Sequence, residues 1–222
     1  MKKSTALTAA LSLLLLGGFF LLLYPHLAQH WNLRRQSQVI ASYSREVAQL
    51  DTTDFYPLWE AALAHNRRLA AGEPPPERAV YESLLDPVGS GVMGWVEIPA
   101  IGCRLPIGHG SDETTLRDAA GHVEWSSLPT GGAGTHCVLS GHRGMAGARL
   151  FTDLDELAVG DTFLLQILDN TLTYQVDQIL TVLPHETQAL QIRPEGDYCT
   201  LVTCTPYAVN THRLLVRGRR VA

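Results

Sequence analysis

Hydrophobic and polar positions change their spacing twice along the 222 residues of this chain. The first stretch has no polar rhythm at all. Thr5 to Tyr24 is an uncharged run holding Leu11, Leu13 to Leu16, Phe19, Phe20 and Leu21 to Leu23. About 20 apolar residues cross a bilayer as a helix, so this run predicts a single membrane-spanning anchor. A cleaved signal peptide has a shorter apolar stretch and a small-x-small site behind it. Here the run meets Tyr24, Pro25 and His26, and Ala28 has Trp31 and Asn32 close behind, so an uncleaved anchor is expected. Lys2 and Lys3 favour a cytoplasmic N-terminus, but Arg34 and Arg35 flank the other end and nearly cancel the bias. A second span is not expected before the chain stops in RLLVRGRRVA.

From Arg34 to about Ala71 the spacing is helical. Val39, Ile40, Tyr43, Val47 and Leu50 recur every three or four positions, as do Leu58, Trp59, Ala62 and Leu63. Pro57 is expected to open the second helix, because a missing N–H costs nothing at the first helical position. Three prolines in AGEPPPE (Ala71 to Glu77) then end it. From Gly94 the period becomes two. GWVEIP, THCVLSGH, DTFLLQIL, TLTYQVDQILTVLP, DYCTLVTC and HRLLVRG are short β-rich runs. In the fourth, Leu172, Tyr174 and Val176 alternate with Thr171, Thr173, Gln175 and Asp177, as a half-buried strand requires. Asp169 and Asn170 suit a tight hairpin. Many short strands separated by Gly, Pro and Asp predict a mainly β barrel or sandwich. The expected organisation is an anchor over 1–33, a helical neck over 34–90 and a β domain over 91–222.

Composition removes some functions. A net charge of −5 with 18% charged residues offers no basic field for nucleic acid. The four cysteines (Cys103, Cys137, Cys199 and Cys204) form no CxxC or CxxH pair, so no zinc site and no cofactor are expected. Cys103, Cys137 and Cys199 read as small buried hydrophobes.

Cys204 stands in a different setting. It ends the run YCTLVTC and is followed by Thr205 and Pro206, so its strand stops close by and the thiol lies at a rim. The loop TPYAVNTH and a returning strand RLLVRG permit Arg213 to stand opposite Cys204. A cation beside a thiol favours thiolate, which is the nucleophile. A histidine near such a thiol can take its proton and later protonate a leaving amine. His142, in the β-run ending SGHRG, is one candidate, and His109, His122, His136 and His212 are rivals that spacing alone does not separate.

Longer segments bear on the choice. TLVTCTPYAVNTHRLLVRG (Thr200 to Gly218) resembles the active-site signature of the sortase family, a TLxTC strand followed by an arginine on the next strand. GVMGWVEIPAIGCRLPIGHG (Gly91 to Gly110), WSSLPTGGAGTHCVLSGHRG (Trp125 to Gly144), LFTDLDELAVGD (Leu150 to Asp161) and LTYQVDQI (Leu172 to Ile179) are similar to the pilin-polymerising class C. The resemblance implies a closed eight-stranded β-barrel with short helices, an N-in anchor and an external catalytic domain. It places the family's nucleophile on Cys204, its histidine on His142, its arginine on Arg213 and the preceding threonine on Thr203. The implied reaction cleaves an LPxTG-like sorting signal of a surface or pilin protein through a thioester. The acyl group then passes to an amine, a pilin lysine in class C or a peptidoglycan precursor in wall anchoring. The chain departs from the class in four ways, the first being that the second span many class C enzymes carry after the barrel is not expected here. The Asp-Pro-aromatic lid is represented only by Asp86-Pro87-Val88, which reads as a turn. Gly108 stands where an aromatic is expected and suggests an open groove wall. Trp125 stands where a glycine is expected.

Overall fold

The apolar run and the residues after it as far as Val47 form one continuous helix in the computed structural model, which describes residues 2–145 and 147–222. This helix, α1, runs from Lys2 to Val47 with Pro25 inside it. Among the described residues it is one helix long and apolar enough to cross a membrane. The side chains of Lys2 and Lys3, on which the charge reading of orientation rests, lie outside the described set. Past the apolar run, α1 buries a stripe of Gln36, Ile40, Tyr43 and Val47. The Tyr43 hydroxyl donates to Met93 O at 3.0 Å and accepts from Leu168 N at 2.9 Å. Burial pushes its pKa up to about 12.

The second helix, α2 (Thr52–Ala70), starts five residues before Pro57. The reason is its cap: Asp51 accepts from Asp54 N at 3.3 Å while Asp51 N donates to the Asp54 carboxylate at 3.0 Å, closing a capping box. Pro57 is tolerated within the second turn rather than opening the first. Near the end of α2, Asn66 donates to Leu128 O at 3.0 Å and accepts from Leu128 N at 2.7 Å, pinning the helix to the barrel. A short α3 (Arg78–Glu82) carries the buried Tyr81.

Eight strands follow: β1 (Val92–Ile98), β2 (Cys103–His109), β3 (Ala120–His122), β4 (Thr135–Ser140), β5 (Thr162–Ile167), β6 (Asn170–Val182), β7 (Asp197–Thr205) and β8 (His212–Arg220). They close in the order β1-β2-β3-β4-β7-β8-β6-β5, with β2/β3 and β4/β7 parallel, so no open sheet edge remains. A one-turn α4 (Glu113–Leu116) sits between β2 and β3. The six β-rich runs of the sequence are β1 and β4 to β8. Periodicity missed β2, whose Pro106 and Gly108 break the pattern, and β3, which is only three residues long. The β5–β6 turn falls one residue earlier than expected. Ile167 pairs with Asn170, closing a two-residue turn in which Leu168 takes a left-handed φ of 50°, as tight hairpins require, and keeps its side chain buried. Leu172, Tyr174 and Val176 do face the interior.

Candidate active site

The rim of the barrel where β7 ends brings two of the sequence candidates together. In the β7–β8 register Cys204 pairs with Arg213, Thr205 with His212 and Val202 with Leu215. Alternation along a strand puts Val202 and Cys204 on the outer face with Arg213 and Leu215, and turns Thr203 inward. Cys204 and Arg213 are both half-buried. The Arg213 guanidinium donates to the carbonyls of Asn210 (3.3 Å) and His212 (3.1 Å), which hold it at the β7–β8 turn.

His142 follows β4, and the residues on either side of it are tied to β7 before and after Cys204. Before it, Gly141 N donates to Val202 O at 3.0 Å, and Gly141 O accepts from the buried Thr203 hydroxyl at 2.7 Å. After it, Arg143 donates to the Thr205 hydroxyl at 3.2 Å and forms an ion pair with Asp155. These bonds set the histidine beside the Cys204 segment. Thr203 therefore acts as a support for the loop. The His142 Nε2 atom has no hydrogen-bond partner, and the Glu113 carboxylate of α4, largely exposed, lies 3.7 Å away. Sequence reasoning missed Arg143 and Glu113, because both contacts join segments far apart in the chain.

The rival histidines are occupied elsewhere. His109 Nε2 bonds Leu84 O at 2.7 Å. His122 bonds the Tyr81 hydroxyl at 2.8 Å and Ser127 O at 2.9 Å. His136 bonds the Thr200 hydroxyl at 2.7 Å and Gln191 O at 3.1 Å, and burial lowers its pKa. All three are buried structural groups. His212 faces the Thr211 hydroxyl at 2.9 Å, one position out of register with Cys204. The other cysteines are likewise committed. Cys137 and Cys199 pair across β4 and β7 inside the barrel, and burial raises the Cys199 thiol well above its ordinary value. Cys103 donates to Leu150 O at 3.4 Å, and burial pushes its pKa up to about 12. Cys204 is the thiol that shares its face with a cation.

An apolar groove reaches Arg213. Val123, Trp125, Val138, Val182, Val202 and Leu215 line a cavity of about 150 Å³ whose wall includes Arg213. Trp125, unexplained by the sequence, is half-exposed and forms part of that wall. A larger cavity of about 620 Å³ lies between α1, α3 and β2 and contains none of Cys204, His142 or Arg213. Gly108 lines this second cavity rather than the groove, and a Cβ there would stand 2.7 Å from Thr115 Cγ2. Asp86 lines it too. Its carboxylate accepts from Ser90 N (3.0 Å) and Gly91 N (2.7 Å), which makes Asp86-Pro87-Val88 the turn into β1.

Against known proteins, the profile of the Sortase domain family matches residues 96–221, more than half the chain, and the chain belongs to that family of cysteine transpeptidases. Among solved structures it is similar to sortases of class C. Sortase C1 from Streptococcus agalactiae is 47% identical with a TM-score of 0.80, over 83% of this chain and 98% of that one. Sortase C from Clostridium perfringens, in a structure with the C-terminal cell wall sorting motif, is 39% identical with a TM-score of 0.75, over 84% and 99%. Sortase D of Bacillus subtilis (strain 168) is 28% identical over 189 residues, which are 82% of this chain and 92% of the relative.

Proposed function

We propose that this chain is a membrane-anchored pilin polymerase, with Cys204 as nucleophile, His142 as acid–base and Arg213 as the oxyanion's cation. The observation that carries the reading is the Cys204–Arg213 register pair, with the His142 loop bonded to β7 on either side of it. An LPxTG-like signal lies along the apolar groove. The Cys204 thiolate attacks the threonine carbonyl, and Arg213 and backbone N–H groups stabilise the tetrahedral oxyanion. The C–N bond then breaks, His142 gives its proton to the departing glycine amine, and a thioester remains. A pilin lysine amine attacks the thioester, releases the thiol and leaves an isopeptide bond. The apolar stretch of α1 holds the enzyme in the membrane, with its N-terminus inside and the barrel outside. The organisation this implies is anchor 1–33, neck 34–90 and catalytic barrel 91–222.

The test uses the full chain in detergent micelles, incubated with an LPxTG peptide and then with a lysine-bearing pilin domain. Mass spectrometry is expected to find the peptide's acyl part on Cys204, followed by an isopeptide product. Cleavage with water as the acceptor in every case would reduce the assignment to a hydrolase. Transfer only to peptidoglycan amines would make it a wall-anchoring enzyme.

A further inference from the structure

Four residues after the uncharged run ends at Tyr24, α1 begins to touch the barrel, and the place it touches is the loop that carries His142. Ala28 and Gly147 stand so close that a Cβ on Gly147 would lie 2.6 Å from the Ala28 Cβ. Gly147 also has a φ of 82°, so glycine is required there twice over. One turn further, Asn32 Nδ2 donates to Gly147 O at 2.7 Å. Next along the helix, Arg35 pairs with Asp118 at 2.9 Å and Gln36 donates to Asp118 O at 3.1 Å. Tyr43, last, bonds Met93 O and Leu168 N. Leu168 lies at the turn into β6, and the other end of β6, Val182, pairs with Arg213. Helix α1 therefore lies along the barrel with its membrane end at the catalytic rim and its C-terminal end at the opposite rim.

The distance from bilayer to site follows from helix geometry. Tyr24 to Ala28 is a rise of roughly 6 Å at 1.5 Å per residue. The surface at that level is apolar and uncovered: Leu27 and Trp31 on α1, and Tyr207 and Val209 on the β7–β8 turn, are all exposed. The Tyr207 ring lies 5.9 Å from the Arg143 guanidinium, so this turn rests on the same loop that α1 braces. Aromatic and aliphatic side chains at such a level suit the headgroup boundary of a bilayer.

We propose that the catalytic rim is seated on the bilayer surface, with the His142 loop held between α1 and the β7–β8 turn, and with Tyr207 and Val209 in contact with lipid. This rests on the reading of α1 as a membrane anchor. It makes lipid, rather than a protein partner, the occupant of the exposed Tyr207–Val209 tip, because the helix that enters the membrane fixes that tip at membrane level.

The experiment places nitroxide labels, one at a time, at Val209→Cys, Asp169→Cys and Leu16→Cys in the full chain carrying Cys204→Ala and Cys103→Ala, in phosphatidylcholine nanodiscs. Asp169 is exposed and lies in the β5–β6 turn beside Leu168, at the opposite rim. Collision with lipid-soluble oxygen is compared with collision with an aqueous nickel chelate. The expected result is an oxygen-to-nickel ratio severalfold higher at 209 than at 169. A ratio at 209 equal to that at 169, with a high ratio at 16, overturns the seating while leaving the anchor intact. A low ratio at 16 overturns the anchor and the seating with it. A label at 209 that becomes shielded only when a soluble protein is added, in nanodiscs where 16 reports lipid, overturns the lipid assignment in favour of a protein partner.

Discussion

At the scale of single residues, a one-position shift in β8 would exchange Arg213 for His212 opposite Cys204, so the register itself is testable. Arg213 shares the face of Cys204, and His212 pairs with Thr205. Arg213→Ala is expected to lower kcat by about 100-fold, the usual cost of losing an oxyanion donor. His212→Ala is expected to change kcat less than about threefold, under 1 kcal/mol. Arg213→Lys is also expected to be poor, since a point charge does not reproduce a planar fork of donors. The reverse ranking in a peptide-cleavage assay would show the register to be wrong. Cys204→Ala is expected to abolish cleavage and transfer with the fold intact. Cys103→Ala, Cys137→Ala and Cys199→Ala keep turnover and lose about 1 kcal/mol each in chemical denaturation. Cys204 and Arg213 were legible because a strand end and a return strand can be counted along the chain. His142 was not separable from four rivals by spacing. What separates it is that three of them are buried with both ring nitrogens or their strongest contact spent on the fold, which only the tertiary structure reveals.

At the scale of elements, the legible parts were those with an uninterrupted period. The long β6 was read correctly from its alternation, whereas β2 was hidden by Pro106 and Gly108, and the start of α2 was misplaced because a capping box outweighed the proline signal. Helix α2 also carries a pH dependence. His65 is buried against the barrel, its Nε2 has no partner, and burial together with the charges of His122 and Arg68 lowers its pKa to about 4. An unfolded histidine titrates near 6.5. Between those values the unfolded chain binds more protons than the folded one, so stability falls as pH drops from about 6.5 towards about 4. The Tm of His65→Leu is expected to vary less between pH 7 and pH 4.5 than that of the wild type. Equal slopes would remove His65 as the source. The turn at Asp86 makes a second prediction. Its carboxylate is spent on Ser90 and Gly91, and it lines the cavity beside the neck rather than the groove. Replacing Asp86 and Pro87 by Ala should therefore change the rate of thiol labelling at Cys204 less than about threefold, roughly 0.6 kcal/mol.

At the scale of the whole molecule, the neck is part of the barrel's packing rather than a spacer. This could not be read from the pattern of the sequence, because the stripe that docks α1 begins with Ala28, Asn32 and Gln36, which no apolar period picks out. Only its far end, at Ile40, Tyr43 and Val47, carries the usual signal. Deleting residues 34–77 removes those three side chains, each worth about 2 kcal/mol of burial, together with the buried Ala62 and Asn66 of α2, so a loss of at least roughly 6 kcal/mol is expected in denaturant unfolding. It also strips Met93 O and Leu168 N of the Tyr43 hydroxyl, although both then become accessible to water. The groove beside Cys204 is another matter, since none of its lining residues comes from the neck. Cys204 should therefore label within about threefold of the wild-type rate in the deleted chain. Cys137 and Cys199 supply the internal control: they lie wholly inside the barrel and label only when it opens. Fast labelling of Cys204 with slow labelling of Cys137 and Cys199 means a folded barrel with an open groove. A tenfold acceleration at Cys204 alone would mean that the neck gates the nucleophile. Acceleration at all three would instead report the stability that the neck contributes.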